Sequence, residues 1–312
     1  MKHIKTHNDF IGDHIIVEFE IFTLCDKSCS YCYNIPNNGP RFNNSIDDVL
    51  EGLKRIIDMD NKKIIIELIG GEPILHKHFE EIIDFIYKNK HEDHKLIIFT
   101  HADHPSHFFN KRIDLLKKFE DKVRISCSLH LEELNKDQYL RNIKYVDKNF
   151  KHSDLYIFTD NRYLNETIFI EKIMDSVQNM KIFPLILDNS NVLDLSYQIV
   201  NLNTKFEKYS EKMNVQYEID GKIIPYNKAK YLMYKFNRLS YTGQQCRVRA
   251  YEIDRWGDIT MSCFQNGQEP LGNIFNNPST ALLNSCSITC TQKRCNPNLV
   301  NFEVTIGNDE LL

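Results

Sequence analysis

Apolar runs of two different periods alternate along the first two-thirds of the chain. Residues 15–22 carry Ile15, Ile16, Val17, Phe19, Ile21 and Phe22, an apolar run rich in β-branched and aromatic side chains that predicts a buried strand. Helical spacing follows at Ile46, Val49, Leu50, Leu53, Ile56 and Ile57, with Ser45 in an N-cap position and Asp47 and Asp48 in the first turn. The two patterns then take turns. Strands are predicted over 63–69, 95–100, 123–129, 155–159 and 181–187, and helices over 78–89, 105–119, 136–149 and 165–177. Such alternation implies a parallel sheet with right-handed crossovers. Six units predict an α/β fold, a partial (β/α)6 TIM-type barrel.

In barrels of this kind active groups gather at the C-terminal strand ends. Polar residues capable of chemistry stand at each predicted end. Cys25, Cys29 and Cys32 follow the first strand, and Gly70, Gly71, Glu72 and Pro73 the second. Thr100 and His101 follow the third, Ser128 and His130 the fourth, Thr159 to Asn161 the fifth, and Asp188 and Asn189 the sixth. Beyond about residue 201 the pattern loosens. Residues 201–213 and 228–238 read as helical, and 215–224 as a hairpin turning at Asp220 and Gly221. A boundary near residue 235 divides the chain into a barrel, 1–234, and a small cysteine-rich α+β appendage, 235–312.

With 312 residues the chain has room for one large α/β domain plus such an appendage. A net charge of −4 without a dense Lys/Arg tract disfavours nucleic acid as a partner. Met1 to Asp9 contains no apolar signal segment, and no run is long enough to cross a bilayer, so a cytoplasmic location with no membrane partner is expected. The nine cysteines change the picture more. Three lie near residue 30, five between 246 and 295, and Cys127 alone mid-strand as a small core residue. Clustered thiols without a secretory signal point to metal rather than to disulfides.

Three sulfurs on one loop can hold three irons of a cubane and leave the fourth iron open; the alternative, zinc, needs a fourth ligand for a closed site. Gly70 and Gly71 allow close approach of backbone to a ligand, and Glu72 offers a carboxylate to an ammonium, although an ordinary strand-to-helix turn uses the same residues. His101, His104 and His107 are spaced too widely over a helical arc to converge on a metal. His76 and His78, like His91 and His94, read as solvated.

The spacing Cys25-x3-Cys29-x2-Cys32, with Tyr31 before the last thiol and Gly70-Gly71-Glu72-Pro73 after the next strand, resembles the radical S-adenosylmethionine superfamily. The resemblance implies a [4Fe–4S] cluster on Cys25, Cys29 and Cys32, with S-adenosylmethionine chelating the open iron through its amino and carboxylate groups. It implies cofactor-binding roles for Tyr31, Gly70, Gly71, Glu72, Pro73, Ser126 and Ser128. Many members with a cluster appendage have Asp-Gly where this chain has His130 and Leu131. His130 is therefore a candidate catalytic group that contacts substrate or moves a proton, or else a rim residue without chemistry.

Cys246, Cys263, Cys286, Cys290 and Cys295 surround a hairpin turning at Trp256, Gly257 and Asp258, followed by Leu271-Gly272-Asn273-Ile274. This set resembles the SPASM and shorter twitch appendages of the same superfamily. A complete SPASM domain carries seven cysteines for two clusters; the five here suffice for one auxiliary [4Fe–4S] cluster, with Cys246, Cys263, Cys290 and Cys295 favoured and Cys286 the alternative ligand. A structural zinc ribbon uses similar residues. The resemblance implies a radical oxidoreductase or maturase-type enzyme that makes a 5′-deoxyadenosyl radical, abstracts a substrate hydrogen, and draws electrons from a flavodoxin- or ferredoxin-type reductant. Its substrate is expected to be a small molecule or a peptide. About a dozen residues precede the first predicted strand, too few for a fused leader-binding domain, which favours a small molecule or a peptide bound without one. The alternative is a non-catalytic iron–sulfur or zinc protein in sensing or assembly.

Overall fold

The alternating segments build a parallel array of strands, and residues before and after them extend its sheet and build a second one. The computed structural model describes residues 2–7, 9–29, 32, 45–59, 63–132, 134–159, 166–186, 216–219, 222–225, 245–261, 270–276, 286–289 and 302–306. Strand β1 (Lys2–His7) belongs to the second sheet. The barrel strands are β2 (Ile15–Phe22), β3 (Ile64–Gly70), β4 (Lys95–Thr100), β5 (Val123–Leu129), β6 (His152–Thr159) and β7 (Lys181–Ile186). They lie side by side in chain order, each parallel to the next. This is the arrangement of a partial TIM-type α/β barrel.

The crossovers carry α1 (Ile46–Ile57), α2 (Phe79–Asn89), α3 (Ser106–Asp114), α4 (Lys136–Asn149) and α5 (Thr167–Ser176). Local chemistry starts two of them. The Ser45 hydroxyl accepts from the Asp48 N–H at 3.1 Å, and the Asn135 amide oxygen accepts from the Gln138 N–H at 3.2 Å. The helix expected over 105–119 ends at Asp114; a 3-10 segment, Lys117–Lys122, takes over, with Glu120 at φ 54°.

Strand alternation sorts the sheet's two faces. Val17, Phe19, Ile66, Leu68, Ile98, Ile125 and Leu129 join Val49, Leu53, Ile82, Ile143 and Val146 of the helices in one core. Full burial of each such side chain stabilises by about 2 kcal/mol. The intervening positions put Glu18, Glu20, Glu67, Arg124, Ser126 and Asp154 on the inner face. Arg124 Nη1 lies 3.4 Å from Asp154 Oδ2. Burial pushes Glu67 up to about 8, with Arg124 opposing and Asp154 reinforcing the shift.

The remaining strands are β8 (Gln216–Ile219), β9 (Lys222–Pro225), β10 (Gln245–Val248), β11 (Ala250–Ile253), β12 (Asp258–Met261), β13 (Gly272–Asn273), β14 (Cys286–Thr289) and β15 (Phe302–Ile306). β11 lies parallel beside β2, so the first sheet runs β13-β12-β11-β2-β3-β4-β5-β6-β7. The second runs β14-β10-β15-β1-β8-β9. β8 and β9 form the expected antiparallel hairpin, Ile219 opposite Lys222. The helices expected over 201–213 and 228–238 lie outside the described residues. Among the described residues no helix is long and apolar enough to cross a membrane.

Candidate cysteine-loop site

The loop leaving β2 carries Cys25, Cys29 and Cys32, none in a disulfide, the second buried and the others half-buried. The Cys32 N–H donates to the Cys29 carbonyl at 3.0 Å, and the Lys27 N–H donates to Cys25 Sγ at 3.4 Å. Burial pushes the Cys25 thiol up to about 12, against that hydrogen bond. A thiolate at this place therefore needs a cation beside it. Tyr31 lies outside the described residues.

The end of β3 docks onto this loop through its backbone. The Gly71 N–H donates to Phe22 O at 2.7 Å, and the Glu72 N–H donates to Leu24 O at 2.8 Å. Gly70 sits at φ +142°, and a Cβ there would lie 1.9 Å from Phe22 O. A Cβ on Gly71 would lie 2.3 Å from Leu24 O. The immediate reason for both glycines is thus the approach of the chain's own cysteine-bearing segment. Pro73, buried, opens the 3-10 turn Pro73–Leu75.

Glu72 is 1% exposed and points at two imidazoles from the loop after β4. Its Oε2 accepts from the His101 backbone N–H at 2.7 Å. Its Oε1 lies 3.8 Å from His104 Nε2 and has no hydrogen-bond partner among the described residues. Asp26 enters from the cysteine loop. Its Oδ1 accepts from His101 Nε2 at 2.6 Å, and its Oδ2 lies 3.4 Å from His104 Nδ1. Burial alone would raise both carboxyls; the two imidazoles reverse this and hold Asp26 and Glu72 below the usual carboxylate range. Burial opposes a charge on His104, but Asp26 and Glu72 outweigh it and raise that imidazole to about 9.

The expectation that these imidazoles do not converge fails for His101 and His104, whose ring centroids lie 4.1 Å apart. Both precede α3, and Ala102 at φ 55° turns the chain between them, so helical spacing does not govern them. The side-chain amide of Asn142 on α4 donates to Ala102 O at 2.8 Å and to His104 O at 2.7 Å, fixing the turn. His107, on α3, is exposed. The signal available in the sequence was two histidines three apart, directly after a strand.

Ser126 and Ser128 are buried on the inner face of β5, while Cys127 between them packs into the core. Ser126 Oγ has no hydrogen-bond partner among the described residues. His130 follows β5, half-buried; burial, the largest cause, lowers it to about 4, so it is a neutral imidazole near pH 7. His76 and His94 are buried, contrary to the solvated reading, whereas His91 is exposed and His78 half-buried. His76 packs edge-on against Phe22, with ring centroids 5.0 Å apart.

Of the C-terminal cysteines, Cys246 lies on β10 and Cys286 on β14, adjacent antiparallel strands of the second sheet. Cys246 stands opposite Ile288, two residues from Cys286. Cys263, Cys290 and Cys295 lie outside the described residues. The hairpin β11–β12 turns at the expected place. Asn273 donates through Nδ2 to Trp256 O and to Asp258 Oδ1, each at 2.8 Å, and so closes the turn.

The Radical SAM superfamily model matches residues 19–158, the segment that holds the cysteine loop, the glycine turn and both imidazoles. The chain is 26% identical over 113 residues to the antilisterial bacteriocin subtilosin biosynthesis protein AlbA of Bacillus subtilis (strain 168), an alignment covering 36% of this chain and 23% of that protein. The chain thus matches about a quarter of the length of this curated relative. Among solved structures, histidine-tagged anSMEcpe with bound AdoMet superposes with a TM-score of 0.59 at 14% identity, covering 87% of this chain and 80% of that one. SuiB of Streptococcus suis bound to S-adenosylmethionine gives 0.57 at 15% identity, covering 86% and 65%. At such identities the two structures establish a shared fold.

Proposed function

We propose, from a chain whose residues 19–158 match the Radical SAM superfamily model, that the protein cleaves S-adenosylmethionine reductively and turns the resulting radical on a peptide. The observation that carries the reading is three thiols outside any disulfide on the loop after β2, with the segment leading into it, Phe22 and Leu24, held by backbone hydrogen bonds to the Gly70–Glu72 turn. Cys25, Cys29 and Cys32 would hold a [4Fe–4S] cluster. Bound there and reduced, such a cluster supplies the electron that splits S-adenosylmethionine into methionine and a 5′-deoxyadenosyl radical. The protein's own part is to bind, orient and exclude water. Glu72 Oε1 and Ser126 Oγ, neither hydrogen-bonded among the described residues, are buried acceptors that would take the ammonium and hydroxyl groups of the cofactor, consistent with roles for Gly70, Gly71, Glu72, Pro73, Ser126 and Ser128. His130, a neutral imidazole near pH 7, would serve as a hydrogen-bonding contact to substrate.

The substrate class rests on the relatives. AlbA acts in the biosynthesis of a bacteriocin, SuiB has been solved bound to precursor peptide SuiA, and anSMEcpe with a Cp18Cys peptide. An auxiliary [4Fe–4S] cluster in the C-terminal region, accepting an electron from the substrate radical, would make the reaction a net oxidation of maturase type. Cys246, Cys263, Cys290 and Cys295 would hold it, with Cys286 the alternative ligand, a choice the register of β10 and β14 leaves open by setting Cys246 and Cys286 two positions apart on adjacent strands. A flavodoxin- or ferredoxin-type protein would deliver the electrons. The test is anaerobic reconstitution followed by iron and sulfide analysis and calorimetry with S-adenosylmethionine. Cys29→Ala should lose about four irons per chain together with measurable affinity for S-adenosylmethionine. Retention of both in that variant rejects the assignment.

A further inference from the structure

The two residues that follow Cys25 are gripped by the loop after β4. Asp26 Oδ1 accepts from His101 Nε2 at 2.6 Å, and Lys27 Nζ pairs with Asp103. The Lys27 and Asp103 side chains are 9% and 3% exposed. Asp103 is itself held from α4's approach: its Oδ2 accepts from the Asn135 N–H at 3.1 Å and its Oδ1 from Gln138 Nε2 at 3.2 Å. The loop is rigid in its own right, because Asn142 ties down the carbonyls of Ala102 and His104.

A divalent cation is the competing explanation for Glu72, His101 and His104, whose ligand atoms lie within 4.8 Å of one another. The tautomer of His101 argues against it. The Asp103 backbone N–H donates to His101 Nδ1 at 3.0 Å, so the lone pair is on Nδ1 and the ring proton on Nε2. Nε2 faces Asp26 as a donor, whereas a metal there would require a lone pair.

We infer that residues 101–104 are a positioning clamp for the cysteine loop, with His101 and Asp103 as positioning residues that order Asp26 and Lys27 before any metal is inserted. The functional meaning of the clamp rests on the reading that Cys25, Cys29 and Cys32 hold the cluster. A loop ordered in advance loses less conformational entropy when its thiols are metallated. Nothing of this requires His101 to touch substrate.

The test separates the clamp from the cluster assignment. Amide hydrogen exchange on the metal-free protein reads the loop directly. His101→Ala should speed exchange at residues 25–29 about tenfold, the effect of one charge-assisted hydrogen bond, with exchange in β2 and β5 unchanged. His101→Gln, whose amide can still donate to Asp26, should restore protection. The pair Lys27→Met with Asp103→Asn, which leaves no lone buried charge, should also loosen the loop. In the reconstituted protein the alanine variant should lose iron to a chelator about tenfold faster and broaden the reduced-cluster electron paramagnetic resonance signal, with the glutamine variant close to wild type. Unchanged loop exchange in His101→Ala and in the double variant overturns the clamp, even where iron is bound normally. One extra equivalent of zinc or manganese bound by wild type and lost in His101→Ala, with exchange unaffected, overturns it in favour of a cation site. Failure of wild type to bind iron removes the cluster reading while the exchange result still decides the clamp.

Discussion

Replacing Gly71 by alanine should damage the protein through its own backbone before any ligand is considered. The added Cβ would lie 2.3 Å from Leu24 O and 2.5 Å from Leu24 C, both backbone atoms that cannot swing aside. Relief requires the end of β3 to part from residues 22–24. That breaks the bonds from Gly71 N to Phe22 O at 2.7 Å and from Glu72 N to Leu24 O at 2.8 Å. Each bond contributes about 1 kcal/mol net, and a buried group left unpaired costs about 1–3 kcal/mol, so a loss of about 3–5 kcal/mol follows. Gly70→Ala meets Phe22 O at 1.9 Å and adds the strain of φ +142°, about 1–3 kcal/mol more. Chemical unfolding of the metal-free, reduced protein measures this, and thermal unfolding should show a fall of about 10 °C. Both variants unfolding within about 0.5 kcal/mol of wild type would refute the reasoning and return the glycines to the role of clearing space for a ligand.

Three further outcomes follow from single side chains. His76, 2% exposed, is lowered to about 4, chiefly by burial, from its ordinary 6.5, so the unfolded chain takes up the proton first. Its contribution is whole above pH 6.5 and is lost as pH falls through about 4; between pH 7 and pH 5 wild type should lose ~2 kcal/mol that His76→Asn does not, and equal pH slopes would contradict this. Asn142→Leu leaves the carbonyls of Ala102 and His104 without their donor and should cost about 2–4 kcal/mol in urea unfolding, a loss below ~1 kcal/mol counting against the anchoring role. Ser126→Ala should leave stability within about 0.5 kcal/mol yet weaken S-adenosylmethionine about tenfold by calorimetry; unchanged affinity removes Ser126 from the cofactor site.

The strands whose helix-facing positions are uniformly apolar were legible in the sequence: 15–22, 95–100 and 123–129 coincide with β2, β4 and β5. So was α4, expected over 136–149, although its cap, Asn135, was not read. β6 begins at His152 rather than 155 because Ser153 and Asp154, polar in sequence, are buried, Asp154 facing Arg124. β1 is short and polar, and its partners β8 and β15 lie some two hundred or more residues away, so no local pattern announces it. For the same reason nothing in residues 250–253 foretells that β11 pairs in parallel with β2. In the site, spacing pointed to the three thiols and the glycine turn. The clamp escaped because a left-handed Ala102 and a long-range Asn142 create it. Neither a φ of 55° at an alanine nor a contact across 40 positions is written in helical periodicity.

The central claim is that the loop of Cys25, Cys29 and Cys32 generates a radical from S-adenosylmethionine. Its most direct measurement is 5′-deoxyadenosine formed by the anaerobically reconstituted, strongly reduced protein, quantified beside the Cys29→Ala variant. The account predicts 5′-deoxyadenosine and methionine in equal amounts from wild type and none above background from the variant. Wild type with an intact first cluster that forms no 5′-deoxyadenosine would contradict it.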